Sequence, residues 1–313
     1  MKTSRPFQQV DVFTDTAFMG NPLAVVLDGT GLSDAQMQTF AAWTQLSETT
    51  FVLPPTPEGA AGGADYRVRI FTPGAELPFA GHPTLGTAHA WLKAGKTPRQ
   101  AGVLMQECGV GLVTLKQFGE RWAFAAPPLK RSDISAEDLG PVLAALGLDA
   151  SEVIAAQNLN NGPHWLGLLV HDVDTVLALE PDHAALKKLG TKVGVAARRQ
   201  APEATEAHGL IRRANREARA FVASNTRIAN DPTDLEVRAF AAPVGIAEDP
   251  VTGSLNASLA QWLMADGHMP ANYSARQGTI LGRAGQVFLS QDPQGQVWVG
   301  GDVVGCIQGS VSL

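Results

Sequence analysis

Cysteine is nearly absent, with only Cys108 and Cys306 in a chain of 313 residues. The two stand far apart and have no partners at metal-ligand spacing, so neither a disulfide framework nor a zinc site is expected, and a reducing cytoplasm fits. Charged side chains are sparse as well, at 17% of residues, and they sum to a net charge of −6. The basic residues are scattered except for short groups at Arg198-Arg199 and Arg212-Arg213, which argues against a nucleic-acid partner. No apolar run reaches membrane-spanning length, and the first ten residues are polar and lack the apolar core of a signal peptide. The Walker phosphate loop is missing, and no dinucleotide-binding glycine pattern follows a strand. A soluble, cytoplasmic protein with no cofactor and no metal is the expectation.

What is present is apolar material, 45% of the chain, at a length above the usual ceiling for one hydrophobic core. Two compact units are therefore expected, and an internal repeat supports them. Asp65-Tyr66-Arg67-Val68-Arg69-Ile70-Phe71 matches Asp234-Leu235-Glu236-Val237-Arg238-Ala239-Phe240, 169 residues further on. Phe51-Val52 is set against Phe221-Val222 upstream, and Trp91-Leu92 against Trp262-Leu263 downstream. Each copy runs from a strand through a Pro/Gly loop into a helix that begins with small residues, Gly81-His82-Pro83-Thr84 in one and Thr252-Gly253-Ser254 in the other. Gly95 and Gly267 are candidate C-caps, and further strands follow. Ser33-Asp34-Ala35-Gln36 reads as a capping box opening a helix to about residue 45, and 135–146 and 182–189 read as helices. The stretch 192–208 is charged and weakly periodic and is expected to be a loop or poorly packed.

A helix whose first turn is built from small residues leaves its backbone N–H groups open to an anion, which the helix dipole favours. Two such helices facing one another would grip a small carboxylate. Few titratable residues lie near these loops: Glu48, Glu76 and His82 in the first half, Glu248 and Asp249 in the second. The repeat sets Glu48 against Ala218 and His82 close to Gly253, so acid-base work would fall on one half. A carboxyl group entering the apolar strand after Glu48 would be partly desolvated, which raises its pKa and suits proton transfer. Plain alternatives stand beside these readings: Glu48 as a helix-end or edge-strand charge, His82 as a helix cap, Asp249-Pro250 as a turn, Ser254 as an N-terminal helix residue. The pairs Asp65/Arg69 and Asp234/Arg238 read as repeated scaffold. A Ser254/His82/Asp249 hydrolase lacks the strained nucleophile elbow.

These residues also carry a resemblance. Val10-Asp11-Val12-Phe13, Gly20-Asn21-Pro22-Leu23-Ala24-Val25, Leu46-Ser47-Glu48-Thr49-Thr50-Phe51, Phe79-Ala80-Gly81-His82-Pro83-Thr84 and Glu248-Asp249-Pro250-Val251-Thr252-Gly253-Ser254 together resemble the PhzF-like family of phenazine-biosynthesis isomerases, nearly end to end. The resemblance implies an α+β, diaminopimelate-epimerase-like fold: two pseudo-symmetric halves, each a mostly antiparallel sheet or barrel around a central helix. The first half would span 1–120, completed by a C-terminal strand at 302–313, and the second 121–301. It implies a cofactor-free isomerase acting on a small cyclic carboxylate such as trans-2,3-dihydro-3-hydroxyanthranilate, and a homodimer. Glu48 would be the acid-base, with His82 and Asp249 orienting the substrate and tuning it. Gly253 and Ser254 would bind the carboxylate, and Asn21, Ser47 and Gly81 would line the pocket. Amino-acid epimerisation is disfavoured because the helix starts carry Gly81-His82 and Gly253-Ser254 instead of a cysteine pair. A non-catalytic carboxylate-binding protein of the same fold is the alternative. Leu255, directly after Ser254, departs from the small residue more usual in the family.

Overall fold

The computed structural model describes residues 3–199 and 233–313. In chain order the first series of elements contains β1 (Ser4–Val12), β2 (Asn21–Val26), α1 (Asp34–Thr44), β3 (Glu48–Leu53), α2 (Pro57–Ala61), β4 (Tyr66–Phe71), β5 (Glu76–Leu77), α3 (Gly81–Lys93), β6 (Val103–Cys108), β7 (Gly111–Phe118) and β8 (Arg121–Ala125). The second contains β9 (Lys130–Ser132), α4 (Ala136–Leu146), β10 (Val153–Asn160), β11 (His164–Val170), α5 (Val173–Ala178), α6 (His183–Leu189), β12 (Val193–Arg198), β13 (Leu235–Ala241), β14 (Ile246–Asp249), α7 (Gly253–Ala265), β15 (Asn272–Gln277), β16 (Gly285–Gln291) and β17 (Val297–Gly301), after which β18 (Val303–Ser312) ends the chain.

The two sets of strands pair in the same order and with the same polarity. β1 to β2 is antiparallel, β2 to β3 parallel, β3 to β4 antiparallel, β4 to β6 parallel, and β6 to β7 to β8 antiparallel. β10, β11, β12, β13, β15, β16 and β17 repeat that series step for step. The two series meet where β8 runs antiparallel to β17, and β18 returns along β1 with Ser312 opposite Ser4.

The repeated residues explain why both halves fold alike. Asp65 donates its N–H to Met105 O at 2.7 Å and accepts the Met105 N–H on Oδ2 at 2.8 Å. Asp234 does the same to Ser274, at 2.9 and 2.8 Å. Each aspartate thus clamps the start of a parallel strand pair, which no tight turn can join. Arg69 holds Glu76 with two bonds and sits over Phe71, while Arg238 holds Glu248 with two bonds and sits over Phe240. The scaffold reading of these pairs agrees with the contacts.

Each half wraps its sheet around one 13-residue helix, α3 or α7, buried on nearly every side. A helix without a polar face is stable only in such a setting. Their first residues, Gly81 and Gly253, touch: a Cβ built on Gly253 would lie 3.1 Å from Gly81 Cα, and one built on Gly81 would lie 2.6 Å from the Phe124 ring. The Cβ space at Gly253 is therefore taken by the start of the opposite helix, and that at Gly81 by Phe124 and Gly253. Leu255 is accommodated in a similar way, since it packs against Gly194 of β12, where a Cβ would come within 2.3 Å of its Cδ1.

The capping box at Ser33 and Gln36 is present, and the helices expected at 135–146 and 182–189 are α4 and α6, capped by Ser135 and Asp182. Gly95 and Gly267 stand one residue past the caps Ala94 and Asp266, at φ of 81° and 74°. Two expectations are corrected. The stretch expected as a loop begins with β12, whose residues 193–197 are all buried between β11 and β13, so its lack of helical period reflects a fully enclosed strand. Its remainder beyond Arg199 lies outside the described residues, as do Arg212-Arg213, Ala218 and Phe221-Val222. The upstream register of the repeat also differs. Thr49 pairs with Phe71 and Val193 pairs with Phe240, the repeat mate of Phe71, so Lys192, not Ala218, stands where Glu48 stands in the first half. Counting back at constant offset fails because the chain between β12 and β13 is much longer than that between β3 and β4. The paired glycines likewise set His82 opposite Ser254, one place from the sequence alignment.

Gly253→Val forces a branched side chain into the helix-to-helix contact and is expected to destabilise the fold by about 1–3 kcal/mol, as overpacking of a tight core does. Thermal unfolding without any ligand checks this, and an unchanged midpoint would show that the two helix ends have room to part.

Candidate active site

Asn21 opens β2, Glu48 opens β3, His82 lies in the first turn of α3 and Asp249 ends β14. Gln45, in the left-handed conformation at φ 56°, stops α1 and turns the chain toward Ser47 and Glu48. Asn21 is the hub: its Nδ2 donates to Asp249 Oδ1 at 3.0 Å and to Val251 O at 2.9 Å, and its Oδ1 accepts from Ser47 Oγ at 3.1 Å. Asp249 Oδ2 accepts from Thr252 Oγ1 at 2.6 Å. Gln277 in turn holds Thr252, accepting its N–H at 3.0 Å and donating to its Oγ1 at 3.0 Å. The Asp249 carboxylate is thus fixed from both halves. Glu48 is different. Its side chain is 15% exposed and Oε2 lies 3.5 Å from His82 Nδ1, yet neither Glu48 Oε2 nor His82 Nε2 has a hydrogen-bond partner among the described residues.

The charges follow from enclosure. Burial pushes the Glu48 carboxyl up to about 8, the negative charge of Asp249 adds to this, and the Ser47 hydroxyl works against it. Asp249 is raised by burial to about 6, held there by the Thr252 and Asn21 donors and by Lys192 against a push from Glu248. Burial lowers His82 to about 3, with the Pro22 carbonyl opposing. At neutral pH the site therefore holds a protonated Glu48 against a neutral imidazole, beside an ionised Asp249. The Glu48/His82 contact is not an ion pair in that range. Environments that separate the titrations of neighbouring carboxyl groups are typical of acid-base sites.

The second half supplies the opposite wall. Among the described residues no side chain caps the first turn of either α3 or α7, so two positive helix ends converge where Gly81 meets Gly253. Ser254 Oγ accepts from the Trp165 indole N–H at 3.3 Å, and Ser254 O accepts from Asn161 Nδ2 at 3.0 Å. Lys192 lies with its ammonium 4.7 Å from the centre of the Trp165 ring. Ser254, His82 and Asp249 each have other partners, so they do not form a hydrolytic triad. The expected site residues Asn21, Ser47, Glu48, His82 and Asp249 are brought together by direct contacts, and Gly81, Gly253 and Ser254 adjoin them through the helix ends. Thr252, Gln277, Asn161, Trp165 and Lys192 were not singled out from sequence. Only Thr252 had a signal, within its motif; Lys192 becomes visible once the strand register is known. Cys108 and Cys306 lie on β6 and β18, away from both helix starts.

The chain is similar to known proteins along nearly its whole length. Residues 10–309 match the family model PhzC-PhzF, phenazine biosynthesis-like protein. The chain belongs to this family. It is 33% identical to antisense-enhancing sequence 1 of Schizosaccharomyces pombe, over 98% of both chains. It is 30% identical to a trans-2,3-dihydro-3-hydroxyanthranilate isomerase of Pseudomonas fluorescens, over 90% of this chain and 89% of that one. A PhzF-family phenazine biosynthesis protein of Bacillus anthracis superposes with a TM-score of 0.78 at 20% identity, covering 99% of this chain and 100% of that one, and shares the fold. The doubled, epimerase-like α+β architecture expected from the sequence is the one found. The chain is an isomerase of the PhzF family. No helix among the described residues is long and apolar enough to cross a membrane.

The raised pKa of Glu48 has a stability signature. Between its ordinary value of 4.5 and about 8 the folded protein keeps a proton that the unfolded chain has released, so stability falls as pH rises through that window and the loss is complete above it. Glu48→Gln lacks this loss. Its melting midpoint is expected to exceed that of the wild type by at least about 2 °C above pH 8, the shift that roughly 1 kcal/mol produces, and to match it below pH 4.5. Paired melts across that range check the sign; a variant less stable at high pH would contradict it.

Proposed function

We propose that the protein moves a proton between carbon atoms of a small cyclic carboxylate without a cofactor, with Glu48 carrying the proton. The observation that supports this most is Glu48 itself: an enclosed carboxyl with an unsatisfied oxygen, titrating near 8 beside a fixed negative charge. The Pseudomonas fluorescens relative acts on trans-2,3-dihydro-3-hydroxyanthranilate, and that compound is the model substrate for this chain.

In the proposed cycle ionised Glu48 takes a proton from one ring carbon. It thereby becomes the neutral acid that its surroundings favour, and it returns the proton to another carbon. The substrate is neither oxidised nor reduced, so the step needs no redox partner. A pKa near the working pH keeps both transfers within reach. Neutral His82 and ionised Asp249 orient the polar groups of the substrate. Ser254 is suited to its carboxylate: an indole N–H only donates, so the Ser254 oxygen is the acceptor toward Trp165 and its own proton is free for a ligand. Asn21, Ser47, Gly81 and Gly253 form the rest of the lining. Cytoplasmic location, a homodimer, and halves divided near residue 120 with 302–313 returning to the first belong to the same proposal.

Glu48→Gln keeps the shape and loses the ionisable proton, so kcat on trans-2,3-dihydro-3-hydroxyanthranilate should fall by about 10² to 10⁴, the usual contribution of general acid-base catalysis. In the wild type kcat/KM should rise with pH along a limb centred near 8, because the base form starts the cycle. Ordinary turnover by Glu48→Gln would sink the proposal.

A further inference from the structure

We propose that Lys192 is the cation that receives the substrate carboxylate, completing from the second half the anion site that Ser254 and the first turn of α7 begin. This rests on the carboxylate in the function proposed above and adds the group that recognises its charge. Three observations lead to it. The first is position. Strand register makes Lys192 the counterpart of Glu48, because each precedes the residue paired with one of the two repeat-mate phenylalanines, Phe71 and Phe240. The duplicated frame that brings Glu48 to the start of α3 therefore brings Lys192 to the corresponding place beside α7.

The second is the local packing. The Lys192 ammonium rides over the Trp165 ring at 4.7 Å, and the indole N–H of that ring donates to Ser254 Oγ at 3.3 Å. Trp165 is 3% exposed, so it is a fixed spacer between the lysine and the helix start. An aromatic face attracts an ammonium but takes none of its three N–H bonds in the normal way.

The third is what Lys192 lacks. It is half-buried, and no acidic side chain comes within 4.0 Å of it among the described residues. Asp249 is near enough for each to shift the titration of the other, yet its oxygens are taken by Asn21 and Thr252. A lysine that gives up part of its hydration with no carboxylate in direct contact is poised for one that arrives with a ligand. Asn161 adds a second unspent group. It is 5% exposed and donates to Ser254 O, while its Oδ1 has no partner among the described residues. That oxygen suits a donor on the substrate, such as an amine or hydroxyl next to the carboxylate.

Calorimetric titration of the full chain with benzoate and with benzamide tests the assignment, since the two probes share a ring and differ in charge. The wild type should prefer benzoate by about tenfold or more, the range of one charge-assisted contact. Lys192→Met, which keeps the stem over Trp165, should weaken benzoate by about tenfold and leave benzamide unchanged; Lys192→Gln should do the same, and Lys192→Arg should stay within about threefold of wild type. Three results would overturn the proposal: no acid preference in the wild type, undiminished benzoate binding by both neutral variants, or equal loss of acid and amide. Glu48→Gln is read in turnover and these variants in binding. Retained turnover there with a lost acid preference here would fail the proton carrier and keep Lys192.

Discussion

Glu48 and Asp249 share one enclosed space, and two carboxylates cannot both ionise there cheaply. The conflict is resolved by unequal surroundings. Asp249 is given donors from Asn21 and Thr252, with the positive charge of Lys192 nearby, so it takes the charge. Glu48 faces a neutral imidazole and is left with the proton. The rest of the site can be understood as maintaining this inequality. Gln277 fixes Thr252, Asn21 ties Ser47 to Asp249, and the buried helices exclude the water that would level the two groups.

The frame that holds them is a duplication whose symmetry survives in the backbone and is broken in the side chains. Strand order, the aspartate clamps and the arginine-glutamate pairs recur in both halves with nearly the same geometry. At two equivalent places beside the helix starts the chemistry diverges: Glu48 against Lys192, and His82 against Ser254. One half presents a carboxyl group with a raised pKa and a neutral ring; the other presents a cation and a hydroxyl. The contact of Gly81 with Gly253 keeps these two walls close, and this explains why small residues begin both helices.

Much of this was legible in the sequence, for identifiable reasons. The repeat at Asp65 and Asp234 is conspicuous because its matching Asp, Arg and Phe residues make the same scaffold contacts in both halves. The capping residues Ser33, Ser135 and Asp182 marked helix starts through local chemistry alone. The main candidate site residues stood in motifs, and the apolar strand after Glu48 foretold its raised pKa. What was hidden depends on distance in the fold. β12 has no amphipathic alternation because both its faces are covered, and a long segment separates it from β13, so Lys192 could not be set against Glu48 by counting. The packing of the helix-starting glycines was hidden as well: sequence shows small residues there, and only the fold sets Gly253 against Gly81 and Gly81 against Phe124.

The central claim is that Glu48 is protonated at neutral pH because it is enclosed beside an ionised Asp249. Carbon-13 NMR titration of carboxyl-labelled glutamate, with the Glu48 resonance assigned by its absence from Glu48→Gln, measures this directly. The account predicts a midpoint near 8 in the wild type and a lower one in Asp249→Asn, where the neighbouring charge is gone. A Glu48 resonance titrating near 4.5, or one unmoved by Asp249→Asn, would contradict it.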